Sequence, residues 1–235
     1  MEWQELRQQV CNSWAQLDDR VAALRRSATA QRIDLYCTSG CANCCTLAVN
    51  CTFAEAAVIA GDLSDGQRHM VMERLPLLEA VSAAATTLKG FLQLYRDRSG
   101  ACPFLDEQQC CTIYLSRPLS CRALLSTRPA AWCGVDFATL HPLEKKAFLS
   151  SLDAAVVAYP SHYLAASQEQ GARLERGMAD WLERQRGVRL GGNLIWLLGM
   201  ELQHRLSERL LDGDKSLAGW LSEQQHQHPY LVHFG

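Results

Sequence analysis

Eleven cysteines in 235 residues constrain this chain more than anything else in it, because ten of them lie between Cys37 and Cys133. Cysteines that served only as small core residues would scatter along the chain. In a short exported protein such a cluster reads as a disulfide frame; in a reducing compartment it reads as metal ligands or catalytic thiols. The start, Met1-Glu2-Trp3-Gln4-Glu5, has neither the basic n-region nor the apolar h-region of a secretory signal. The longest apolar stretches, such as Leu194 to Met200, are too short to span a bilayer. A cytoplasmic location with reduced thiols is therefore expected. A formal net charge of -2 gives no general pull toward nucleic acid or an anionic membrane, so neither is expected as a partner.

Outside the cysteine region the pattern is helical. Trp3, Leu6, Val10, Trp14, Leu17, Val21 and Leu24 recur in steps of three and four, which predicts one amphipathic helix from about residue 2 to about residue 30. Thr52-Phe53-Ala54-Glu55 has the form of a capping box ahead of the apolar run Ala56 to Ala60. Two further helices are expected over Ser64 to about Leu78 and Val81 to Tyr95, with Pro76 beginning or bending one. Arg96 to Gly100 is a polar stop. Later helices are expected over Pro142 to about Tyr159, Gly171 to about Arg186, Asn193 to about Leu211 and Lys215 to about Gln225. Arg184 to Gly192 has the look of a linker, without a composition shift to mark a domain boundary.

No alternation of strands with helices and no solenoid repeat is visible. The expected fold is all-α: a helical bundle with two irregular cysteine-rich metal-binding loops at one end. Residues 1–235 are expected to form a single domain. Its cysteine-cluster region, 37–134, is flanked by an N-terminal helix and a C-terminal helical part.

The first loop reads Cys37-Thr38-Ser39-Gly40-Cys41-Ala42-Asn43-Cys44-Cys45, a C-x3-C-x2-C-C run. A metal needs several deprotonated sulfurs converging on one point, and a tight turn achieves this while aiming backbone amides at the sulfurs. Gly40 and Ala42 allow the close approach. The side chains of Cys44 and Cys45, being neighbours, are expected to diverge toward different metals or different corners of one site.

The second loop runs Cys102-Pro103-Phe104-Leu105, then Cys111-Thr112-Ile113-Tyr114, then Arg117-Pro118-Leu119-Ser120-Cys121-Arg122, and on to Cys133-Gly134. Both blocks together, in this order, resemble the YkgJ-like cysteine-cluster family, described as carrying a zinc- or iron-chelating domain. The resemblance covers Cys37 to Cys133. It implies a ligand set of Cys37, Cys41, Cys44, Cys45, Cys102, Cys111, Cys121 and Cys133. That count suits two four-thiolate sites or one iron–sulfur cluster (4Fe-4S) with extra thiols nearby, and thiolates suit zinc and iron alike.

Of the cysteines left over, Cys11 reads as a core residue of the first helix. Cys110 stands where the family usually has a polar turn residue, and Cys51 lies close enough to the first loop to stand in for a ligand. Arg117 and Arg122 are expected beside the sulfurs, because a four-thiolate centre carries a net charge of about -2 that is costly to bury alone. Phe104, Ile113 and Tyr114 are expected to wall the site from water.

Rival chemistries fare worse. C-x3-C-x2-C also occurs in radical-SAM enzymes, but Asn43 stands where they usually place an aromatic residue and the βα alternation is missing. A methyl-transfer enzyme resembling flagellin lysine methylases is the alternative from another class; a protein would then dock near the loops. Gly191-Gly192 is a weak nucleotide-loop signal. His226, His228 and His233 read as a solvated tail rather than a hydrolytic zinc site. The expected partner is thus a metal ion or cluster, with another protein as the second possibility.

Overall fold

A helix that is apolar all round has to be enclosed, and this chain has two. In α2 (Phe53–Asp62) every residue from Phe53 to Ala60 is buried, and in α9 (Leu194–His204) every residue from Leu194 to Met200 is buried. The computed structural model describes residues 2–38 and 40–234; Met1, Gly235 and Ser39 of the first cysteine loop lie outside them. In it α2 and α9 pack against each other at the centre.

Each central helix springs directly from a strand. Strand β1 (Asn50–Thr52) runs into α2, and β2 (Leu190–Asn193) runs into α9. They pair antiparallel with Asn50 opposite Asn193 and Thr52 opposite Gly191, and β3 (Val232–Phe234) adds to β2 to give the order β1-β2-β3. The fold is therefore mainly helical with a small three-stranded sheet, which corrects the all-α expectation. Three- and four-residue strands whose partners lie far along the chain leave no period-2 signal, and glycine has low strand propensity.

Sheet packing also explains Gly191-Gly192. A Cβ on Gly192 would fall on the Leu231 carbonyl oxygen, and one on Gly191 would sit 3.2 Å from the carbonyl oxygen of Cys51. The pair is there for close strand approach, not for a nucleotide.

The capping box appears as the pattern predicts. Thr52 accepts from the Glu55 amide at 3.3 Å, while the Glu55 carboxylate takes the Thr52 amide at 3.1 Å. Asn193 caps α9 the same way, accepting from Ile195 and Trp196.

Around this centre, α1 (Trp3–Ala30) buries Leu6, Val10, Trp14 and Leu17 against α2, α5 (Leu119–Ala123) and α8 (Ala165–Arg186). Helix α3 (Asp65–Ala84), with Pro76 inside it, packs on α4 (Leu88–Ser99) and α9. A Cβ on Gly171 of α8 would stand 2.8 Å from the Ala123 Cβ, so α5, which carries Cys121, presses directly on α8.

Several boundaries differ from expectation. The helix starting at Pro142 is α7 (Pro142–Ser150), and an irregular stretch follows to residue 164. The run from Asn193 breaks at Arg205, whose φ is 47°, into α9 and α10 (Leu206–Asp212). After α11 (Leu217–Gln227) His226 and His233 are exposed, as expected of a solvated stretch, but the backbone between them packs back on the core. Leu231 and Val232 are buried, and the His228 ring lies 4.7 Å from that of Trp196. Among the described residues no helix is long and apolar enough to cross a membrane.

Candidate metal centre

The first cysteine loop is a short 3-10 turn, Asn43–Thr46, entered through Gly40 at a φ of 77°. A second short helix, α6 (Ala131–Gly134), lies against it and carries Cys133. The second loop closes onto the first by backbone contact: the Cys102 amide donates to the Cys45 carbonyl at 2.8 Å. On the other side the Tyr36 amide donates to the Ser126 carbonyl at 2.9 Å, and the Ser126 amide returns a hydrogen bond of 3.1 Å to the Cys37 sulfur. An amide aimed at sulfur favours thiolate. The two cysteine-bearing stretches, distant in sequence, thus meet at one end of the fold.

Cys44 sits where they meet. Its charge raises the thiols of Cys37 and Cys133 on one side and of Cys102, Cys111 and Cys121 on the other. Cys41 acts on the first side, raising Cys37 and Cys133. The Cys44 thiol itself is raised far above its ordinary range, first by its hydrogen bond with Cys45 and then by burial.

Burial is the main cause elsewhere: it pushes Cys102 up to about 11, with Arg74 pulling the other way, and it raises Cys121 further, helped by Cys102, Cys44 and Cys111. Thiols that raise one another through a shared, poorly solvated space become thiolates together only if a cation joins them. The donor set therefore fits a thiophilic metal such as zinc or iron. Among the described residues, no group of three or more Cys, His, Asp or Glu side chains stands close enough together to hold a metal ion.

The two arginines have separate jobs. Arg117 faces the sulfurs, lowering Cys44, Cys111 and Cys121, and lies 3.8 Å above the Tyr114 ring. Arg122 does not face them, contrary to expectation. It is buried and bonded to Asp18, the Arg117 carbonyl (2.7 Å) and the Leu115 carbonyl, with its guanidinium 5.1 Å from the Trp14 ring. It clamps α1 onto the loop that carries Cys121, a full cation being tolerable there because it is paired and hydrogen-bonded. Phe104 and Ile113 are buried beside the site as expected, whereas Tyr114 is exposed and serves Arg117.

Of the leftover cysteines two turn elsewhere and one, Cys51, borders Cys121. Cys110 turns its thiol to the Gln108 carbonyl at 3.7 Å. Cys11 packs on the core from α1. Cys51 is buried in β1, its thiol raised by burial and then by Glu55, Glu175 and Cys121.

Four residues that bear on the site carry no warning in the cysteine spacing. The Ser126 amide donates to the Cys37 sulfur while its hydroxyl donates to the Arg128 carbonyl at 2.6 Å, and Tyr163 hydrogen-bonds to Cys133. The His162 Nε2 lies 3.4 Å from the Cys133 sulfur. Glu55, fully buried, accepts the Leu119 amide at 2.7 Å and so holds the start of α5. Glu55 was visible as a capping residue; its second role needed the fold.

Residues 36–145 match the family model CxxCxxCC, described as a "Putative zinc- or iron-chelating domain". The matched segment contains all eight cysteines of the resemblance and extends into α7. No curated protein and no solved structure matches the chain.

Proposed function

We propose that this chain, which over residues 36–145 carries the domain of the cysteine-cluster family, holds zinc or iron through two neighbouring groups of thiolates. One group is Cys37, Cys41 and Cys133. The other is Cys102, Cys111 and Cys121. The Cys44–Cys45 pair stands between them. The observation that carries this reading is the backbone join between the two cysteine loops, where the Cys102 amide donates to the Cys45 carbonyl at 2.8 Å beside Cys44. With four-coordinate ions, thiolate donors in this number suit two metals rather than one structural zinc. If the groups draw together on a single centre, an iron–sulfur cluster is the form they take.

Bound metal would tie loop to loop and supply the folding free energy of the site. The chain's own part is to shield and orient the sulfurs. Ser126 and Tyr163 hydrogen-bond them, Arg117 offsets their charge, and Phe104 and Ile113 exclude water. Such closed, sulfur-rich coordination favours a structural or metal-handling role over hydrolysis, which wants an open position.

Anaerobic purification followed by metal analysis and a visible spectrum tests the reading. Stoichiometric zinc in a colourless protein supports two ions. A brown protein absorbing near ~400 nm indicates the cluster form. Failure to retain or take up either metal under reducing conditions overturns the proposal.

A further inference from the structure

The chain holds four lysines against nineteen arginines, and two of the four, Lys145 and Lys146, stand side by side on α7. Among the described residues the ion pairs of the fold use arginine or His69, and neither lysine has an acidic partner. Both line a cleft of about 610 Å³ whose other walls include Phe137, Leu140, Leu149 and Tyr159, with no acidic residue in the lining. The volume is that of a small-molecule site, and apolar walls with a few converging polar groups are how such sites are built.

The walls are fixed from behind. Phe148, 5% exposed, is the one residue that α7 buries. Its ring lies 4.2 Å from that of Trp132 and 4.9 Å from that of Phe137, so an aromatic cluster backs the Phe137 wall. The Tyr159 wall is held by its backbone: the Tyr159 amide donates to the Val157 carbonyl and the Ala158 amide to the Tyr163 carbonyl, each at 2.8 Å. Tyr159 is nonetheless 55% exposed. Two unpaired ammonium groups beside apolar walls already in place leave a ligand little ordering to impose.

A second cleft of the same volume shows the contrast. It lies between α2, α9 and α10, and the fold itself uses its charges. Arg68 donates to the Ala60 and Leu63 carbonyls at 2.9 and 3.0 Å, Glu201 accepts the Ser207 amide at 2.8 Å, and Arg205 lies 3.5 Å from Glu208. In the α7 cleft the cations remain open.

We propose that the α7 cleft binds a small organic anion, with a flat apolar body against Phe137, Leu149 and Tyr159 and one carboxylate facing Lys145 and Lys146. A neutral apolar molecule gains nothing from the lysines, and an inorganic anion gains nothing from the aromatic walls. A lysine ammonium is a point charge on a flexible stem, which suits a carboxylate without demanding bidentate geometry. The cleft runs from Phe137 to Tyr159 and so crosses the end of the matched segment at residue 145. No cysteine lines it, and the proposal is independent of the metal-binding reading.

Competition against a fluorescent anion tests this on the full-length chain as purified. The probe is anilinonaphthalene sulfonate; the competitors are naphthoate and its neutral counterpart, naphthamide. Naphthoate should displace the probe about fivefold better than naphthamide, the scale of two partly exposed ion pairs, and added salt should shrink the ratio. The double variant Lys145→Gln/Lys146→Gln should bring the ratio to about one, whereas Lys215→Gln, ahead of α11, should leave it unchanged. Tyr159→Ser should weaken both competitors alike. All three lysines are exposed, so their variants should keep the wild-type unfolding midpoint. Equal competitors in the wild type, a ratio that survives the double lysine change, unaltered binding in Tyr159→Ser, or a probe that never saturates overturns the proposal. Should Tyr159→Ser fail to fold, the lysine comparison decides.

Discussion

Glu55 offers the sharpest test of how the helical frame positions the cysteines. Its carboxylate is fully buried and accepts four hydrogen bonds: the Trp14 indole at 3.0 Å, the Leu119 amide at 2.7 Å, and the Thr52 amide and hydroxyl at 3.1 and 3.0 Å. One side chain thus joins α1, the start of α2 and the first residue of α5, two positions before Cys121. In Glu55→Gln one oxygen can still serve Trp14 and Leu119, but the amide NH2 faces the Thr52 N–H. One charge-assisted bond is lost, at a cost of about 1.5–3 kcal/mol. In Glu55→Ala three buried N–H groups lose their acceptor at about 1–3 kcal/mol each, so a total of about 4–6 kcal/mol is expected after partial relaxation.

Urea unfolding of the metal-free, reduced chain measures both losses from the shift in midpoint at constant slope. Zinc affinity by chelator competition, at a urea concentration where both variants are folded, should fall with α5 no longer held. Equal losses for Gln and Ala, or losses within about 0.5 kcal/mol of wild type, which is the usual surface-substitution range, would refute the view that this carboxylate organises the site.

Three further outcomes follow from the same geometry. Glu175 is pushed up to about 7, first by burial and then by the charge of Glu55. Its folded pKa lies above the unfolded one, so the folded state holds the extra proton and stability falls as pH rises from about 4.5 to about 7. Glu175→Gln should then stabilise by about 2 kcal/mol at pH 8 and by little at pH 4.5, measured as urea midpoints; equal effects at both pH values count against it. Arg122→Ala should destabilise by about 2–4 kcal/mol, chiefly by leaving the Arg117 and Leu115 carbonyls without their buried donor, since Asp18 stays half exposed to water, whereas Arg117→Ala should leave thermal stability nearly unchanged and weaken zinc binding. The contrast is read by calorimetry and metal competition, and a reversed ranking would show the two roles assigned the wrong way round. Finally, Cys11→Ser, Cys51→Ala and Cys110→Ser should each retain the wild-type metal stoichiometry, whereas Cys44→Ser should lose metal from the site where both loops meet; metal analysis of the purified variants decides.

Much of this architecture was legible beforehand, in the segments where the physics is local. The steps of three and four from Trp3 to Leu24 specify α1, because one helix face must be buried whatever packs on it. The Thr52–Glu55 capping box likewise needs only its own turn. The cysteine spacing marks the segment that the family model matches, 36–145, because thiol chemistry depends on residue type before it depends on fold.

Other features depend on partners far along the chain. The sheet was invisible because Cys51 finds Gly192 only after α2 and α9 pack. Arg122 was misplaced because proximity in sequence to Cys121 says nothing of Asp18, which captures it from α1. His162 and Tyr163 lack any spacing signature and reach Cys133 only because the stretch after α7 folds back on Ser126 and Thr127. Residue type and local period decided which groups are available; long-range packing decided which of them share a site, since burial, charge pairing and hydrogen bonding are settled by whichever side chain arrives in space.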